Sequence, residues 1–444
     1  MRVFSMAGTL LAVFLALVCL QQQHVANGAE CHGKPDPNAK PNLNPIYTEA
    51  PVLVRSVKNA KLYTVGGGND TISLVHLYGT PYEMGYAHGI LMKENATQFI
   101  NDVWGYLEDQ VESAINGTIH NLQPWFLKLV ADFGLDVALD LTTDATRPFT
   151  GEYFYEEMHG MADATGLSFK KIERIHMIGE LTKGACSMYG AWGNATRSTN
   201  KTLQLRALDW DIDGPFRNFP QITVYHPVNT TYGHAFANIG WTGWIGSITG
   251  MNSKQMAISE IGVAFPDSTF GKESRFGIPF TYILRDILQF DSSLTAALHR
   301  ITTANRTCDL ILGVGDGNMK AFRGIQYSAS VANFYTDTDN MPVADWHPRI
   351  QDVVYYGMDW LCPGYSQVLA AQLQKHHGNI TPQNTIEEIT AITQTGDLHL
   401  AVYDLTDTIL YVANARRDGV DGPVKAYDRP FVRIDMKPVF ALSQ

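Results

Sequence analysis

Residues 183–187 read Lys183-Gly184-Ala185-Cys186-Ser187, and the character of the chain changes at this point. Between residues 82 and 181, apolar residues recur at spacings of three and four, which is typical of amphipathic helices. After residue 186, short segments rich in β-branched and aromatic residues alternate with turn residues, which is typical of strands. A pair of small residues followed by cysteine at such a change is where we expect a processing site.

Turn residues divide the β-rich part into separate elements. Five segments are predicted as strands: Leu203–Leu208, Ile222–Tyr225, Ile245–Thr249, Met256–Ile261 and Leu310–Val314. Phe280–Phe290 and Leu294–Ile301 are predicted as a helical pair, introduced by Pro279 and by Ser292/Ser293. Leu398–Tyr403 and Thr408–Val412 are predicted as a hairpin near the C-terminus.

The N-terminus has the pattern of a secretory signal peptide. Arg2 precedes an apolar run over residues 6–20, and small residues follow at Ala26, Gly28 and Ala29. Eight asparagines stand in glycosylation sequons: Asn69, Asn95, Asn116, Asn194, Asn200, Asn229, Asn305 and Asn379. Together these features predict a signal peptide over residues 1–29 and a glycosylated protein that is secreted or lysosomal.

Composition argues against a nucleic-acid-binding protein and against a membrane-spanning one. The 444 residues carry a formal net charge of −11, and this acidic balance argues against nucleic acid as a partner. The apolar run near the N-terminus is shorter than the roughly 20 residues that span a bilayer. Because no second long apolar stretch follows, no stable membrane span is expected.

The cysteines indicate neither a disulfide-rich scaffold nor a zinc site. The chain has five, and no Cys-x-x-Cys or Cys/His spacing is typical of zinc ligands. Cys19 leaves with the signal peptide, and if one of the other four is a nucleophile, at most one disulfide forms among the rest. We expect Cys308 to pair with Cys362, with Cys31 as the alternative partner. No metal and no cofactor is predicted.

Cys186 is the candidate nucleophile. A thiol attacks well only after ionisation, so it needs a base or a positive neighbour. Cleavage of the Ala185–Cys186 bond would give Cys186 a free α-amine, whose unperturbed pKa of about 7.7–8.0 lets it act as the base for its own side chain. The alternative interpretation is a buried, inert cysteine, since free cysteines are among the most buried residues.

Charged residues follow at the end of a predicted strand, in Arg206-Ala207-Leu208-Asp209-Trp210-Asp211. Side chains of a strand alternate between its two faces, so Arg206 and Leu208 share one face while Asp209 and Asp211 point to the other. A twist or turn after Leu208 would be needed to bring Arg206 and Asp209 to one site. An arginine beside the thiol would stabilise the thiolate, and a carboxylate would orient the α-amine. The alternative is that both are ordinary surface charges.

The pattern of Cys186 followed by Arg206-x-x-Asp209 resembles the cysteine N-terminal-nucleophile (Ntn) hydrolases. This superfamily includes the choloylglycine hydrolases, acid ceramidase, the N-acylethanolamine acid amidases and the penicillin acyltransferases, and the last branch is the most similar. Segments that carry the resemblance are Gly79-Thr80-Pro81-Tyr82-Glu83-Met84-Gly85-Tyr86-Ala87-His88-Gly89, Gly243-Trp244-Ile245-Gly246, Gly250-Met251-Asn252-Ser253, Gly277-Ile278-Pro279-Phe280 and Leu284-Arg285-Asp286-Ile287-Leu288. They extend the resemblance, in order, over most of the chain from residue 74.

The resemblance implies roles for individual residues. Cys186 would be the nucleophile, Arg206 and Asp209 the charged pair beside it, and Asn333 the side-chain donor of an oxyanion hole. Asn333 departs from the family's Thr-Asn-His element, since Ala332 precedes it and Phe334 follows it. Glu260 matches a position where the family has Asn or Glu, or it is a solvent-facing strand residue. Arg349 is a candidate for the family's distal arginine.

The resemblance also implies an α+β fold, a four-layer αββα sandwich with two antiparallel sheets. A mainly helical α-chain, residues 30–185, would precede a β-chain, residues 186–444, and cleavage would leave a heterodimer of the two. The implied activity is hydrolysis of a linear N-acyl amide, with lipid amides among the candidate substrates, or acyl transfer to another amine.

Alternatives remain open for the function and for the tryptophans. There are two alternatives to a self-processing hydrolase. One is a catalytically inactive binding protein that kept the fold, and the other is an unprocessed enzyme in which an internal histidine activates Cys186. Four tryptophans are candidates for lining an acyl pocket, with core packing as the alternative: Trp192, Trp210, Trp241 and Trp244.

Overall fold

The computed structural model describes residues 34–444 except 118, 120–121, 183, 263–267, 340, 342–345, 358, 360–361 and 418–422. The predicted signal peptide, Cys31 and Lys183 lie outside the described residues. Two large β-sheets and several groups of helices make up the described chain.

The seven-stranded sheet, here called sheet I, carries the strand that begins at Ala185. Its strands are β1 Ile46–Tyr47, β5 Ala185–Ala191, β6 Leu203–Asp209, β14 Val353–Tyr356, β15 His399–Asp404, β16 Ile409–Asn414 and β19 Phe431–Asp435. They lie in the order β1-β19-β16-β15-β6-β5-β14. Neighbouring strands are antiparallel except for the short parallel pair of β1 and β19.

The ten-stranded sheet, here called sheet II, is built from two separate parts of the sequence, one before Cys186 and one after it. Its strands are β2 Val52–Val57, β3 Ala60–Val65, β4 Ile72–Gly79, β7 Pro220–Pro227, β8 Phe236–Trp241, β9 Gly250–Asn252, β10 Met256–Ile261, β11 Leu310–Asp316, β12 Ala321–Tyr327 and β13 Ala332–Tyr335. They lie in the order β13-β12-β11-β10-β9-β8-β7-β4-β3-β2. Among the described strands of this sheet, only β4 and β7 pair in parallel. A separate small pair joins β17 Arg416–Arg417 to β18 Pro423–Val424.

The helices fall into three groups along the chain and one C-terminal segment. The first group is α1 Pro81–Leu91, α2 Lys93–Ile115, α3 Pro124–Phe133, α4 Leu135–Thr146, α5 Glu152–Thr165, α6 Phe169–Ile175 and α7 Ile178–Leu181. The second is α8 Phe280–Phe290 and α9 Leu294–Thr303. The third is α10 Pro363–Lys375, α11 Pro382–Asn384, the π-helical segment Thr385–Thr390 and α12 Ala391–Thr393, and α13 Met436–Phe440 closes the chain.

Buried side chains show how these elements stack. Strands β4, β7 and β10 of sheet II pack against β15, β16 and β19 of sheet I in one apolar cluster. Helices α8 and α9 cover the other face of sheet II, and α10 with the π-helical segment covers the other face of sheet I. The order is therefore helix, sheet, sheet, helix, which confirms the predicted αββα fold. Each sheet is mainly antiparallel, with one parallel pair.

The Gly79–Gly89 segment contains the residues that determine where helix α1 begins and how closely it packs against α5. Thr80 and Glu83 form a capping box, and Pro81 occupies the first turn, where its missing N–H costs nothing. Further along, a Cβ at Gly85 would clash with the backbone of Glu157 in α5. Glycine there lets the two helices approach closely, which brings His88 and Glu157 into the same buried region.

Two features differ from the sequence-based expectation. Ile245–Thr249 is not a strand, because it lies in the turn between β8 and β9, where His176 and Arg285 bind the backbone of Ile245 instead of a neighbouring strand. The part of the chain before Cys186 contains helices α1–α7, as expected, but it also supplies β1 to one sheet and β2–β4 to the other.

The expected disulfide between Cys308 and Cys362 is wrong. Cys362 is disulfide-bonded, whereas Cys308 carries a thiol. The Cys308 sulfur lies 3.9 Å from Glu180 Oε1, within the cluster beneath α8 and α9. Cys31, the alternative partner, is outside the described residues. In the part of the chain that the structure covers, each helix is too short or too polar to serve as a bilayer-spanning segment.

Candidate active site

Strand register brings Cys186 and Arg206 to one face of sheet I. Strands β5 and β6 pair so that Cys186 lies opposite Leu208, and Arg206 lies opposite Met188. Cys186 and Arg206 are therefore diagonal neighbours on the same face, within reach of a long side chain. Asp209 lies opposite Ala185 and so belongs to the other face. The predicted separation of Arg206 from Asp209 is confirmed.

Arg206 connects the thiol to a carboxylate. Its Nη1 lies 3.5 Å from Cys186 Sγ, and its Nη2 donates to Glu260 Oε1 at 2.5 Å. The Arg206 side chain has no exposed surface, and that of Glu260 is also buried. Arg206 is therefore not an ordinary surface charge, and Glu260 is not a solvent-facing strand residue. Glu260 comes from β10 of sheet II, so the ion pair also bridges the two sheets.

The thiol of Cys186 is held in its neutral form in the uncleaved chain. Burial raises the pKa of Cys186 to about 12, and the charges of Glu260 and Asp209 act in the same direction. Arg206 and the backbone of Gly262 lower the pKa, but by less than burial raises it. Because the thiolate is the reactive form, this environment needs an additional base before Cys186 can attack.

Cys186 lies on an apolar cavity. The cavity is bounded by α7, by the start of α8 and by the ends of the strands around Cys186. Its apolar lining is Ile178, Leu208, Trp210, Phe216, Trp241, Trp244, Ile248, Phe280 and Leu398. Three of the four candidate tryptophans thus contact the cavity. Trp192 is instead packed in the core around it.

Residues without a predicted role in the site hold the tryptophan-bearing turn in place. Ile245 N donates to His176 Nε2 at 2.9 Å, and Arg285 Nη1 donates to Ile245 O at 3.0 Å. The His176 ring stacks on Trp244 with centroids 5.0 Å apart. Burial lowers the pKa of His176 to about 4, which keeps Nε2 an acceptor. Arg285 is in turn bound by Glu157, Nη2 to Oε2, at 2.5 Å.

Asp209 is bound on the face of β5 and β6 that carries Ala185. It accepts hydrogen bonds from Thr395 Oγ1 at 2.7 Å, Gly396 N at 2.6 Å and Asp397 N at 3.1 Å. Ser187 Oγ, 2.8 Å from Thr395 Oγ1, donates to it in turn. Asp209 therefore lies beside the peptide bond that precedes Cys186 and away from its thiol.

The bond expected to be cleaved is part of a regular strand. Ala185 and Cys186 are the first two residues of β5, and Gly184 N donates to Gly262 O at 2.7 Å just before them. Ala185 is half-buried, whereas Cys186 is 1% exposed. The bond is therefore held between a buried thiol and a carboxylate on the opposite face.

Two candidates from the family resemblance do not reach this region. Asn333 lies on β13 at the edge of sheet II, where its Nδ2 donates to Gln326 Oε1 at 2.9 Å. Its strand is three positions from that of Glu260, roughly 14 Å at about 4.8 Å per strand. Arg349 is exposed and donates to Thr338 O at 2.6 Å. This geometry gives no support to the oxyanion role of Asn333.

The described histidines are poorly placed to act as a base for the Cys186 thiol. Among the described residues that line the Cys186 cavity, none is a histidine. His399 lies two strands from Cys186, opposite Leu208, and burial together with Arg206 lowers its pKa to about 3. Within the described part of the chain, no group of three or more His, Cys, Asp or Glu side chains is arranged to hold a metal ion.

All eight asparagines of the sequons are exposed. They are distributed over helices, turns and strand ends in both parts of the chain, three before Cys186 and five after it. A glycan on any of them would extend into solvent without displacing core residues. The Cys186 cavity contains none of them.

Sequence comparison relates most of the chain to two proteins of Dictyostelium discoideum. No family model matches the chain. It is 36% identical to protein dcd1A over 445 residues, an alignment covering 96% of this chain and 98% of that protein. It is 34% identical to protein dcd1B over 411 residues, covering 89% of this chain and 80% of that protein.

Solved structures are similar over about half of the chain. An N-acylethanolamine-hydrolyzing acid amidase ortholog of Caenorhabditis elegans is 14% identical with a TM-score of 0.37, covering 55% of this chain and 98% of its own. A mutant of the conjugated bile acid hydrolase from Clostridium perfringens is 12% identical with a TM-score of 0.35, covering 56% of this chain and 96% of its own.

Proposed function

The chain belongs to the family of the Dictyostelium discoideum proteins dcd1A and dcd1B, and from its own site we propose that it is a cysteine amidohydrolase of the Ntn type. It cleaves its own Ala185–Cys186 bond and then hydrolyses linear N-acyl amides through a thioester on Cys186. One observation carries the proposal: the Cys186 thiol lies 3.5 Å from Arg206 on an apolar cavity, while the bond before it adjoins Asp209 on the other face.

Self-cleavage supplies the base that the site lacks. In the uncleaved chain the Cys186 thiol is protonated, since its pKa is raised to about 12. Hydrolysis of the Ala185–Cys186 bond turns a neutral amide nitrogen into an α-amine with an unperturbed pKa of about 7.7–8.0. This amine belongs to the same residue as the thiol, so it accepts the thiol proton as attack begins.

The reaction then proceeds in two stages, formation of the thioester and its hydrolysis. The thiolate attacks the substrate carbonyl of RCO–NHR′, the α-amine takes the thiol proton, and the protonated α-amine gives that proton to the departing nitrogen. RCO–S–Cys186 and H₂NR′ result. Water then attacks the thioester with the α-amine as base, which releases RCOOH and restores the thiol. Acyl transfer differs only in that an amine replaces water at the second stage.

The cavity supports an apolar acyl group as the recognised part of the substrate. Most of its lining residues are aromatic or aliphatic, and apolar burial favours binding by about 25 cal/mol per Å² of surface removed from water. We therefore propose N-acyl lipids, such as those hydrolysed by the acid ceramidase and acid amidase branches, as the first substrates to test.

Shortening one wall of the cavity is expected to change acyl preference. Trp244→Phe removes part of a side chain that lines the cavity, so longer acyl chains should gain in kcat/KM relative to shorter ones, by about tenfold. The measurement is kcat/KM over a series of N-acyl amides differing only in chain length. Trp125→Phe, at a separate cavity near Arg275, is the matched control. An equal preference in both variants would count against the acyl assignment.

We propose the secretory route, with delivery outside the cell or to lysosomes, from the signal peptide pattern and the exposed sequons. Protein from eukaryotic secretory cells is expected to lose apparent mass on treatment with an N-glycan-releasing amidase. Because three sequons precede Cys186 and five follow it, both fragments should shift, and the larger one by more. Unchanged mobility of both fragments would contradict a glycosylated protein.

Denaturing electrophoresis under reducing conditions tests the function most directly. Mature protein is expected as two fragments, residues 30–185 and 186–444, held together as a heterodimer by the shared sheets before denaturation. The larger fragment should begin Cys186-Ser187-Met188-Tyr189. Purified material is then assayed on N-acyl amides at acidic and neutral pH. A single folded chain that binds acyl lipids without hydrolysis would instead indicate an inactive binding protein.

A further inference from the structure

A second cavity, here called the acid-pair cavity, lies on the Ala185 face of β5 and β6. Both Ala185 and Asp209 line it. A second carboxylate, that of Asp397, faces the same space. The other titratable groups along its wall are Lys425 and Tyr427 near the C-terminus, Tyr365 of α10, and Lys34 with Asp36.

Reciprocal hydrogen bonds fix the two carboxylates together. Asp397 N donates to Asp209 Oδ1 at 3.1 Å, and Trp210 N, the next residue after Asp209, donates to Asp397 Oδ1 at 2.9 Å. The Asp209 carboxylate thus binds the backbone of Asp397, and the Asp397 carboxylate binds the backbone of the residue that follows Asp209. This arrangement keeps both acids at one end of the cavity, next to the residue that precedes the cleavage site.

Two carboxylates confined in this way repel each other unless a proton or a cation lies with them. Burial raises the pKa of Asp397 to about 8, and the charge of Asp209 adds to the increase. The Trp210 N–H and Lys425 oppose it but do not cancel it. In the uncleaved chain, where the nearby Cys186 nitrogen is a neutral amide, the pair accordingly retains a proton at neutral pH.

We propose that Asp397 is a positioning residue that completes, with Asp209, a cation site for the α-ammonium group of Cys186. The inference rests on the proposed self-cleavage. Hydrolysis of the Ala185–Cys186 bond consumes one water and yields the Ala185 carboxylate and the Cys186 α-ammonium. The ammonium then replaces the proton held between the two aspartates, and that proton passes to solvent. Two acids rather than one set the basicity of the amine that serves as the catalytic base.

The negative charge of Asp397 determines the direction in which the pKa of the Cys186 α-amine changes. A neighbouring carboxylate stabilises the ammonium form and raises the pKa of the amine, so Asp397→Asn should lower it, by about one unit. The direct measurement is the pH dependence of N-terminal amine labelling at Cys186 in mature protein, read by mass spectrometry of the N-terminal peptide. Only the neutral amine reacts, so the labelling midpoint should move to lower pH, and the acidic limb of kcat/KM should move with it.

Charge-matched variants separate this effect from loss of structure. Asp428→Asn removes one negative charge from a nearby exposed position outside the cavity and should leave the midpoint unchanged. Lys425→Met removes the cation that competes for Asp397 and should move the midpoint to higher pH. If Asp397→Asn fails to fold or to be processed, the Lys425→Met variant alone tests the proposal. A labelling midpoint in Lys425→Met equal to that of the unaltered protein then overturns the proposal.

The outcomes also distinguish this inference from the proposed function. A single uncut chain in the unaltered protein would refute both, because no α-amine would exist. Normal processing and amidase activity, with labelling midpoints that are the same in the unaltered protein, Asp397→Asn and Lys425→Met, would refute the role of Asp397 alone. Normal processing without amidase activity still permits the labelling measurement, which needs no substrate.

Discussion

Replacing Cys186 with alanine is expected to leave one uncut chain with no amidase activity. The change removes the nucleophile that attacks both the Ala185 carbonyl and the substrate, so neither thioester forms. The fold should persist, since the side chain is small and alanine leaves only the volume of one sulfur atom empty. Electrophoresis under reducing conditions should show a single band, and activity should fall to the level of the uncatalysed reaction.

Cys308→Ala is the matched control for this experiment. Cys308 is a second buried thiol, 6% exposed, and lies near Glu180 rather than in the Cys186 cavity. Its variant should give two fragments and retain activity. Persistence of both fragments in Cys186→Ala would show that another protease makes the cut, and retained activity in that variant would show that Cys186 is not the nucleophile.

Local periodicity was sufficient to predict several elements of this fold. Phe280–Phe290 is a helix and Met256–Ile261 a strand with the predicted bounds, because each is a continuous periodic segment bordered by clear turn residues. The alternation of side chains along Leu203–Asp209 also predicted that Arg206 and Asp209 point to opposite faces. That separation is what assigns Arg206 to the thiol and Asp209 to the cleaved bond.

Contacts between distant segments could not be predicted in this way. Glu260 is 54 residues from Arg206 in sequence, and Asp397 is 188 residues from Asp209. Their meeting depends on which strands are neighbours and on how the two sheets cross, and neither is encoded in a local period. Thr395-Gly396-Asp397 has the composition of a turn before a strand, so its sequence alone indicates a loop and not a site.

The turn after β8 shows a different limit of sequence patterns. Ile245–Thr249 is apolar enough to suggest a strand, yet its backbone is bound by His176, from the turn between α6 and α7, and by Arg285 of α8. Tertiary hydrogen bonds therefore override the local preference. The result is functional in our proposal, because this turn carries Trp244 into the cavity.

The Arg206–Glu260 pair is expected to serve both stability and catalysis, and the two contributions can be separated. Arg206→Met removes a fully buried cation from beside the Glu260 carboxylate and should destabilise the fold by about 3–5 kcal/mol. It also removes the positive neighbour of the thiol, which shifts a thiol pKa by roughly one to three units and so lowers kcat/KM by roughly tenfold to a thousandfold. Chemical denaturation and kinetics measure the two effects.

The double variant Arg206→Met/Glu260→Gln tests whether these effects are distinct. Neutralising Glu260 removes the buried charge that Arg206→Met leaves behind, so most of the lost stability should return, while kcat/KM should stay low because the thiol still lacks its cation. Arg206→Lys is expected to be intermediate, since a single ammonium cannot bind the thiol and the carboxylate in two directions as a guanidinium does. Recovery of full activity together with stability in the double variant would mean that Arg206 acts only on the fold, and the assignment of a charged neighbour to the nucleophile would be wrong.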